Sequence, residues 1–387
     1  MINKKLAAAL ALTFVMSTGG ACFAADASTS TGTSQSTTDV SNPSTVNLTL
    51  DDALNSIEKN NRSIGLLDQQ IDLCNKQYDS AHSNSLGLQA SNLNQATAGN
   101  QYAALKIQED VVPQQAALAI EDAKHKRNNT LKTLKFTTEQ QYMAVVNLKS
   151  QIENINETIA NVNDQIKDTT LKIQQGLLTQ DALNALEVQK SQLEASLNTP
   201  KSQMQQALLG IKQALNLDLN TNLVLAPAQR DFAKYDDSDI SDKITKSVAD
   251  NYDLYSLQKN IDFMAMEQDI YSKYYHNDNS NEVQAGLNVQ NLKNQLDETK
   301  LNKTITLWNS YYDLKNKEDA VQTVQATVDA DQASYNSTEA KLNQGIVTKL
   351  ELDSAQLTLN KDKLNLEMAV NDYMVAVDTY EYNLSNE

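Results

Sequence analysis

The sequence predicts an all-α protein built as two tandem repeats, each a long antiparallel coiled-coil hairpin. Three observations carry this. First, the 387 residues include only 10 Gly and 4 Pro, so few turns are forced and helices can run long. Second, apolar residues recur at alternating spacings of three and four, as in a seam between packed helices. Third, the chain repeats itself. Aromatics are 5% of the chain, mostly Tyr, which disfavours one bulky globular core.

The elements follow in chain order. Lys4 and Lys5 precede a nearly unbroken apolar run from Leu6 to Met16, and Cys22 and Ala24 place small residues at the −3 and −1 positions. Residues 1–24 therefore read as a secretory signal peptide, cleaved after Ala24 and too short to be a transmembrane helix. A lipoprotein reading would make Cys22 the lipidated residue, but Gly19 stands where such sites usually carry Leu. Residues 25–47 are Ser- and Thr-rich with almost no apolar side chains, and such a segment cannot bury enough surface to order itself. Folded structure is expected from near Leu48. No later stretch approaches the roughly 18 apolar residues of a membrane helix.

Thr49-Leu50-Asp51-Asp52-Ala53-Leu54 is a helix start with an acidic first turn. The clearest seam is Val145, Leu148, Ile152, Ile155, Ile159, Val162 and Ile166, and a second runs Val321, Val324, Val328. The flanks are Asn, Gln, Thr, Asp and Lys, so the apolar stripe is narrow, unlike that of a helix lying on a globular core.

The repeat shows best at two Gly turns. Lys172-Ile173-Gln174-Gln175-Gly176-Leu177-Leu178-Thr179 matches Lys341-Leu342-Asn343-Gln344-Gly345-Ile346-Val347-Thr348 at an offset of 169 residues, which also pairs Tyr142 with Tyr311. Upstream, Leu67–Asp72 matches Leu257–Asp262 at an offset of 190. The larger offset places about 21 extra residues in the first repeat, most naturally at Ser83–Asn100. Each repeat then has an entering helix, a polar break (Ser83–Asn100 or His276–Gly286) and a long seam helix (about Gln114–Gln175 or Leu287–Gln344). A Gly turn and a returning helix complete it. The first repeat spans 48–216 and the second 240–387. A connecting loop, 217–239, holds Pro227 and a short Leu223-Val224-Leu225. Gly tolerates the left-handed conformation that ends a helix, and Thr179 or Thr348 can cap the next one. Pro200 is expected to kink the first returning helix. The apolar pairs Leu177/Leu178 and Ile346/Val347 sit at exposed tips, where they either close the hairpin or form a docking surface.

Charge and motifs exclude several classes. The net charge of −17 argues against a general nucleic-acid binder, which needs a basic surface. Of the two cysteines, Cys22 lies in the export signal, leaving no intramolecular disulfide framework or cysteine zinc site. Cys74 is expected to pack as a small hydrophobe. His82, His125 and His276 fall in or near polar, exposed-looking stretches, and no metalloprotease, P-loop, nucleophile-elbow or dinucleotide motif occurs. The expectation is no enzyme, with no catalytic residues, cofactor or metal.

The layout resembles the TolC-like outer membrane efflux protein family over about Leu48–Leu384. The carriers are Leu-Thr-Leu-Asp-Asp-Ala-Leu at 48–54, the Gly turns at 176–185 and 345–355, and Tyr142 and Tyr311 upstream of them. The resemblance implies a homotrimer in which helices from all protomers build a hollow duct. It also implies that the Gly turns dock a periplasmic adaptor joined to an inner-membrane pump, with Gly176, Leu177, Gly345 and Ile346 as docking residues. Family members narrow the duct mouth with acids after the second turn, positions that fall on Glu351 and Asp353. The alternative for both is that of ordinary first-turn acids, favoured by the helix dipole. The family's tip tyrosine and arginine align with Leu342 and Val347, so the usual latch is in doubt.

A second departure concerns the membrane. Barrel-forming relatives contribute two strands per repeat, and a transmembrane strand needs about 9–11 residues of alternating polarity. His276–Gly286 is too short and too polar for two, and only Leu86, Leu88 and Leu93 interrupt the polar run of Ser83–Asn100. The sequence predicts a barrel that is absent or very reduced. The conduit reading places the protein in the cell envelope, at or associated with the outer membrane or outer surface. It would carry an exported substrate passively. A structural coiled-coil protein of the cell surface is the alternative. A periplasmic adaptor fits less well, because adaptors normally carry one hairpin among β-rich domains.

Overall fold

The computed structural model describes residues 45–91, 94–228, 232–274 and 280–385. The signal peptide, Cys22, most of the Ser/Thr-rich leader and His276 lie outside them.

Strand β1 (Thr45–Leu48) leads into α1 (Leu50–Asn60) and α2 (Arg62–Ala90). The short α3 (Gln95–Ala98) and α4 (Tyr102–Asp110) precede the first long helix, α5 (Val112–Gln174). The return is α6 (Gln180–Ser196) and α7 (Asn198–Ala214), followed by β2 (Asn222–Leu225). The second repeat is α8 (Ile240–Ala249), α9 (Tyr252–Tyr274), α10 (Ser280–Asn343) and α11 (Lys349–Leu384). Each long helix is packed twice. The entering helix covers its first part (α2 on α5, α9 on α10), and the returning helix covers its last part (α6 and α7 on α5, α11 on α10). At 1.5 Å per residue, α5 and α10 are each about 95 Å long.

The α1 start is as the sequence implies: Thr49 Oγ1 accepts the Asp52 amide hydrogen bond, and Asp51 and Asp52 occupy the first turn. The returning helix of the first repeat is interrupted at Leu197, between α6 and α7. Pro200 has no N–H for the carbonyl four residues back, and its ring opposes a continuous helix there.

Three small cores replace one large one. In the first, Ile57, Tyr142, Val145, Ile211 and Leu223 bring α1, α5, α7 and β2 together. In the second, Ile244, Leu307, Leu314, Tyr373 and Tyr380 join α8, α10 and α11. The third, Val111, Leu118, Phe263 and Ile270, bonds the start of α5 to α9 and so joins the repeats. Along the α5 seam, Val145 and Val162 are buried, while Leu148, Ile152, Ile155, Ile159 and Ile166 stay half-buried within one chain.

Two sequence expectations need correction. The polar breaks are shorter than composition suggests. Ser83–Ala90 continues α2, and Ser280–Gly286 opens α10. Tertiary packing overrides the weak propensity: Ser85 is buried and its hydroxyl donates to the Glu109 carbonyl at 2.7 Å, while Ala285 is buried in α10. The connecting loop and the leader's last residues are also more ordered than expected. Thr45–Leu48 and Asn222–Leu225 pair in parallel, Thr45 with Asn222 through Leu48 with Leu225. Among the described residues these are the only strands, and no helix is long and apolar enough to cross a membrane.

Candidate functional site

The two Gly turns close their hairpins by the same backbone device. Gly176 has φ +73° and Gly345 φ +69°, in the left-handed region. The Leu177 amide donates to the Lys172 carbonyl (2.8 Å) and the Gly176 amide to Ile173 (2.9 Å). Correspondingly, Ile346 donates to Lys341 and Gly345 to Leu342, both at 2.9 Å. This paired arrangement satisfies the last carbonyls of the helix. It also throws the next side chain outward: Leu177 and Ile346 are each 67% exposed. Leu178 is exposed and Val347 half-buried.

Both turns lie at one end of the molecule. Helices α5 and α11 run antiparallel, with Thr133 against Tyr382, Asn147 against Asn371 and Ser150 against Glu367. Beyond Ser150 and Glu367, about 40 Å of α5 and about 33 Å of α11 lead to the respective turns. The tips thus present two equivalent exposed apolar residues at one end.

The tips differ in how the next helix starts. Thr348 forms a full capping box: its hydroxyl takes the Glu351 amide, and the Glu351 carboxylate accepts from the Thr348 amide at 2.6 Å. These hydrogen bonds, led by the Thr348 amide, hold the Glu351 carboxyl below its usual range. Thr179 sits at the same position of the first tip without a side-chain cap bond. Its third helical residue is Ala182, which has no carboxylate to return the bond. Asp353 pairs with Lys349 one turn on. Leu342 and Val347, where a latch pair would stand, are apolar. The Glu351 and Asp353 carboxylates are therefore both engaged within their own helix start.

Sequence reading missed the polar joint between the repeats. Asp122 on α5 accepts from the Tyr252 hydroxyl and the Ser256 hydroxyl, both at 2.9 Å. His125 is half-buried rather than exposed and stacks on Tyr252, ring centroids 4.0 Å apart. Burial lowers its pKa. The only signal was a polar face on α5 with an acid and an imidazole three residues apart, which spacing alone does not distinguish from a solvated face. His82 is exposed and stacked on Tyr78, and Cys74 is half-buried on α2.

No protein-family profile matches the chain, and no curated protein matches it in sequence. Solved structures do match. A membrane protein from Pseudomonas aeruginosa superposes with a TM-score of 0.66 at 12% identity, covering 87% of this chain and 90% of that one. The CmeC outer membrane channel of Campylobacter jejuni gives 0.67 at 10% identity, covering 87% and 85%. The MtrE outer membrane channel of Neisseria gonorrhoeae, in its open state, gives 0.61 at 10%, covering 87% and 89%. At such identities the likeness is one of architecture, and it extends over nearly the full length of both partners. The chain has a TolC-like fold, the helical architecture of outer membrane efflux channels, carried here by two hairpins with matching Gly tips.

Proposed function

We propose that this protein is the outer conduit of a multi-component export system in the cell envelope. Copies of the chain, three by resemblance, associate side by side through their seams into a hollow helical duct. Several α5 seam residues are only half-buried in one chain, which leaves apolar surface for a neighbouring copy. The tips around Gly176, Leu177, Gly345 and Ile346 dock a periplasmic adaptor that links the duct to an inner-membrane pump. Glu351 and Asp353 lie beside the mouth. Substrate, a small molecule or a protein, passes by diffusion, with energy from the pump. The duct itself needs no cofactor and catalyses no reaction. Its N-terminal signal directs export, and the outer end carries little or no barrel.

The observation that carries this reading is the pair of tips. Two separate hairpins end in the same backbone turn, at the same end, each exposing one large apolar residue to the same degree. What supports the docking reading is their matched placement on two equivalent turns, since neither side chain is spent on closing its own hairpin. The test is efflux of a fluorescent dye from cells lacking the chain. The wild type should restore efflux. The double variant Leu177→Asp/Ile346→Asp should fail to restore it while keeping wild-type oligomer size by light scattering. Full restoration by that variant would remove the tips from the mechanism.

A further inference from the structure

Within the chain the two repeats meet where α11 lies on α5. The Phe136 ring stacks on Tyr382 with centroids 4.8 Å apart, Asn371 donates to Asn147, and Ser150 donates to Glu367 at 3.3 Å. Met143, on the same face of α5, is 2% exposed. The offset of 169 residues carries each of these positions onto the other repeat. The packed helices keep that register: Val145 and Leu314 are buried at equivalent positions, and so are Ile211 and Tyr380. On α10 the equivalents of Phe136, Met143, Asn147 and Ser150 are Ile305, Tyr312, Asn316 and Asp319. On α7 the equivalents of Glu367, Asn371 and Tyr382 are Asn198, Ser202 and Gln213. Both of these faces are bare. Ile305, Asn309, Tyr312, Asn316 and Asp319 are all exposed, at the alternating four-and-three spacing of a helix that packs on another. Asn198, Ser202, Leu209 and Gln213 are exposed too. Tyr312 is 57% exposed where Met143 is covered.

We propose that these two faces cover each other between copies of the chain. Helix α7 of the next copy lies on the α10 face, antiparallel, in the register that α11 keeps on α5. Asn316 then meets Ser202 of the next copy, as Asn147 meets Asn371, and Ile305 packs on Gln213 of the next copy, as Phe136 packs on Tyr382. Tyr312 falls opposite residues 206–209 of the next copy, where Leu209 is 45% exposed in the single chain. The two faces differ, so each copy offers one of each and copies add head to tail. Such a contact closes into a ring where the rotation between copies permits, whereas a self-complementary patch stops at a pair. This contact rests on the association of copies in the conduit reading and fixes the faces on which they meet.

The test is cross-linking of engineered thiols in the intact mature protein, residues 25–387, with Cys74→Ser removing the one native thiol of that span. A short bifunctional thiol reagent is added and the product read on a denaturing gel. Asn316→Cys with Ser202→Cys should give covalent multimers. Asn147→Cys with Asn371→Cys, the equivalent pair within one chain, should link without raising the mass and serves as the positive control. Asn302→Cys with Ser202→Cys moves one thiol along the same face by about 21 Å, out of the reagent's reach, and should give at least tenfold less multimer. Ile305→Cys with Gln213→Cys is a second pair in the proposed register, used should the first alter the fold by circular dichroism. Light scattering of the untreated samples separates this contact from the conduit reading. Multimers in solution without cross-linking of either pair, or with equal cross-linking from Asn302 and Asn316, would overturn the contact and leave the conduit standing. A protein that stays monomeric, with and without detergent, would overturn both.

Discussion

The Tyr142 hydroxyl lies 2.7 Å from the Ala226 carbonyl oxygen, joining the middle of the first long helix to the segment that connects the repeats. The same hydroxyl is 3.0 Å from the Leu48 carbonyl, so its one proton is shared between the end of β1 and the residue that follows β2. The second repeat does the equivalent from the other side. Tyr373 donates to the Ala233 carbonyl at 3.1 Å and accepts from the Tyr235 amide at 2.7 Å. Tyr311, at the position repeated from Tyr142, reaches Asp237 at 3.3 Å. The connecting segment is therefore clamped by tyrosine hydroxyls from both hairpins. Burial raises the pKa of Tyr142 and Tyr373 above the usual phenol range, so both stay protonated donors at neutral pH.

Tyr142→Phe keeps the buried ring and removes the hydroxyl. It should cost about 1–2 kcal/mol, the range for leaving a buried carbonyl short of a donor. Urea denaturation checks the size. Hydrogen exchange should quicken in 45–48 and 222–226 while the hairpin tips are unchanged.

Gly176→Ala and Gly345→Ala place a Cβ on backbone at φ near +70°, in open space. Strain alone sets the effect, about 1–2 kcal/mol each. Asn216 ends α7 in the same conformation, φ +53°, and its Leu217 amide closes on the Lys212 carbonyl at 2.9 Å. Asn at either tip should therefore be milder than Ala, and Asn216→Gly should be neutral or slightly stabilising. Thermal melts of the five variants rank them.

Glu351 gives the second tip a pH dependence that the first lacks. Its folded pKa is depressed, so its contribution is present above the ordinary Glu range and is lost as pH falls through the lower folded value. Acidification below pH about 4 should loosen residues 349–352 and leave 180–183 unaffected. Hydrogen exchange corrected for intrinsic rates checks this, and Glu351→Gln should mimic the acid state at neutral pH.

Glu318 is 1% exposed and meets Lys315 at 2.8 Å and Lys234 at 3.4 Å. Lys315→Met removes the nearer cation from a buried carboxylate and should destabilise by about 3 kcal/mol. The double variant Lys315→Met/Glu318→Met should recover most of that loss, since an apolar pair replaces the buried charges. Chemical denaturation of the two variants separates these outcomes.

Much of the architecture was legible because helical seams and Gly turns are local signals. The 3-4 spacing from Val145 to Ile166 and the repeated Gly176 and Gly345 placed both long helices within a few residues at the tip end. Legibility failed where tertiary contacts override composition. Ser83–Ala90 reads as a break, yet Ser85 is buried against α4. Val46 and Leu223 lie in four-residue segments too short to announce a strand, and the core around Tyr142 that packs beneath them is built from distant parts of the chain. At the tips, Leu177 and Ile346 stood out as apolar residues next to Gly. Thr179 and Thr348 read alike as caps, yet only Thr348 makes a side-chain cap bond, because Glu351 stands at the third helical position of its helix where the first tip has Ala182. The Asp122–Tyr252–His125 joint was not legible, since its partners lie on different helices more than 100 residues apart.

The central claim is that copies of this chain enclose a hollow duct. The most direct measurement is electron microscopy of the mature protein, residues 25–387, with its mass by light scattering, prepared with and without detergent. The account predicts three chains forming an open cylinder about 90–100 Å long, with both tips at one rim. A monomer, or a solid rod with no central channel, would contradict it.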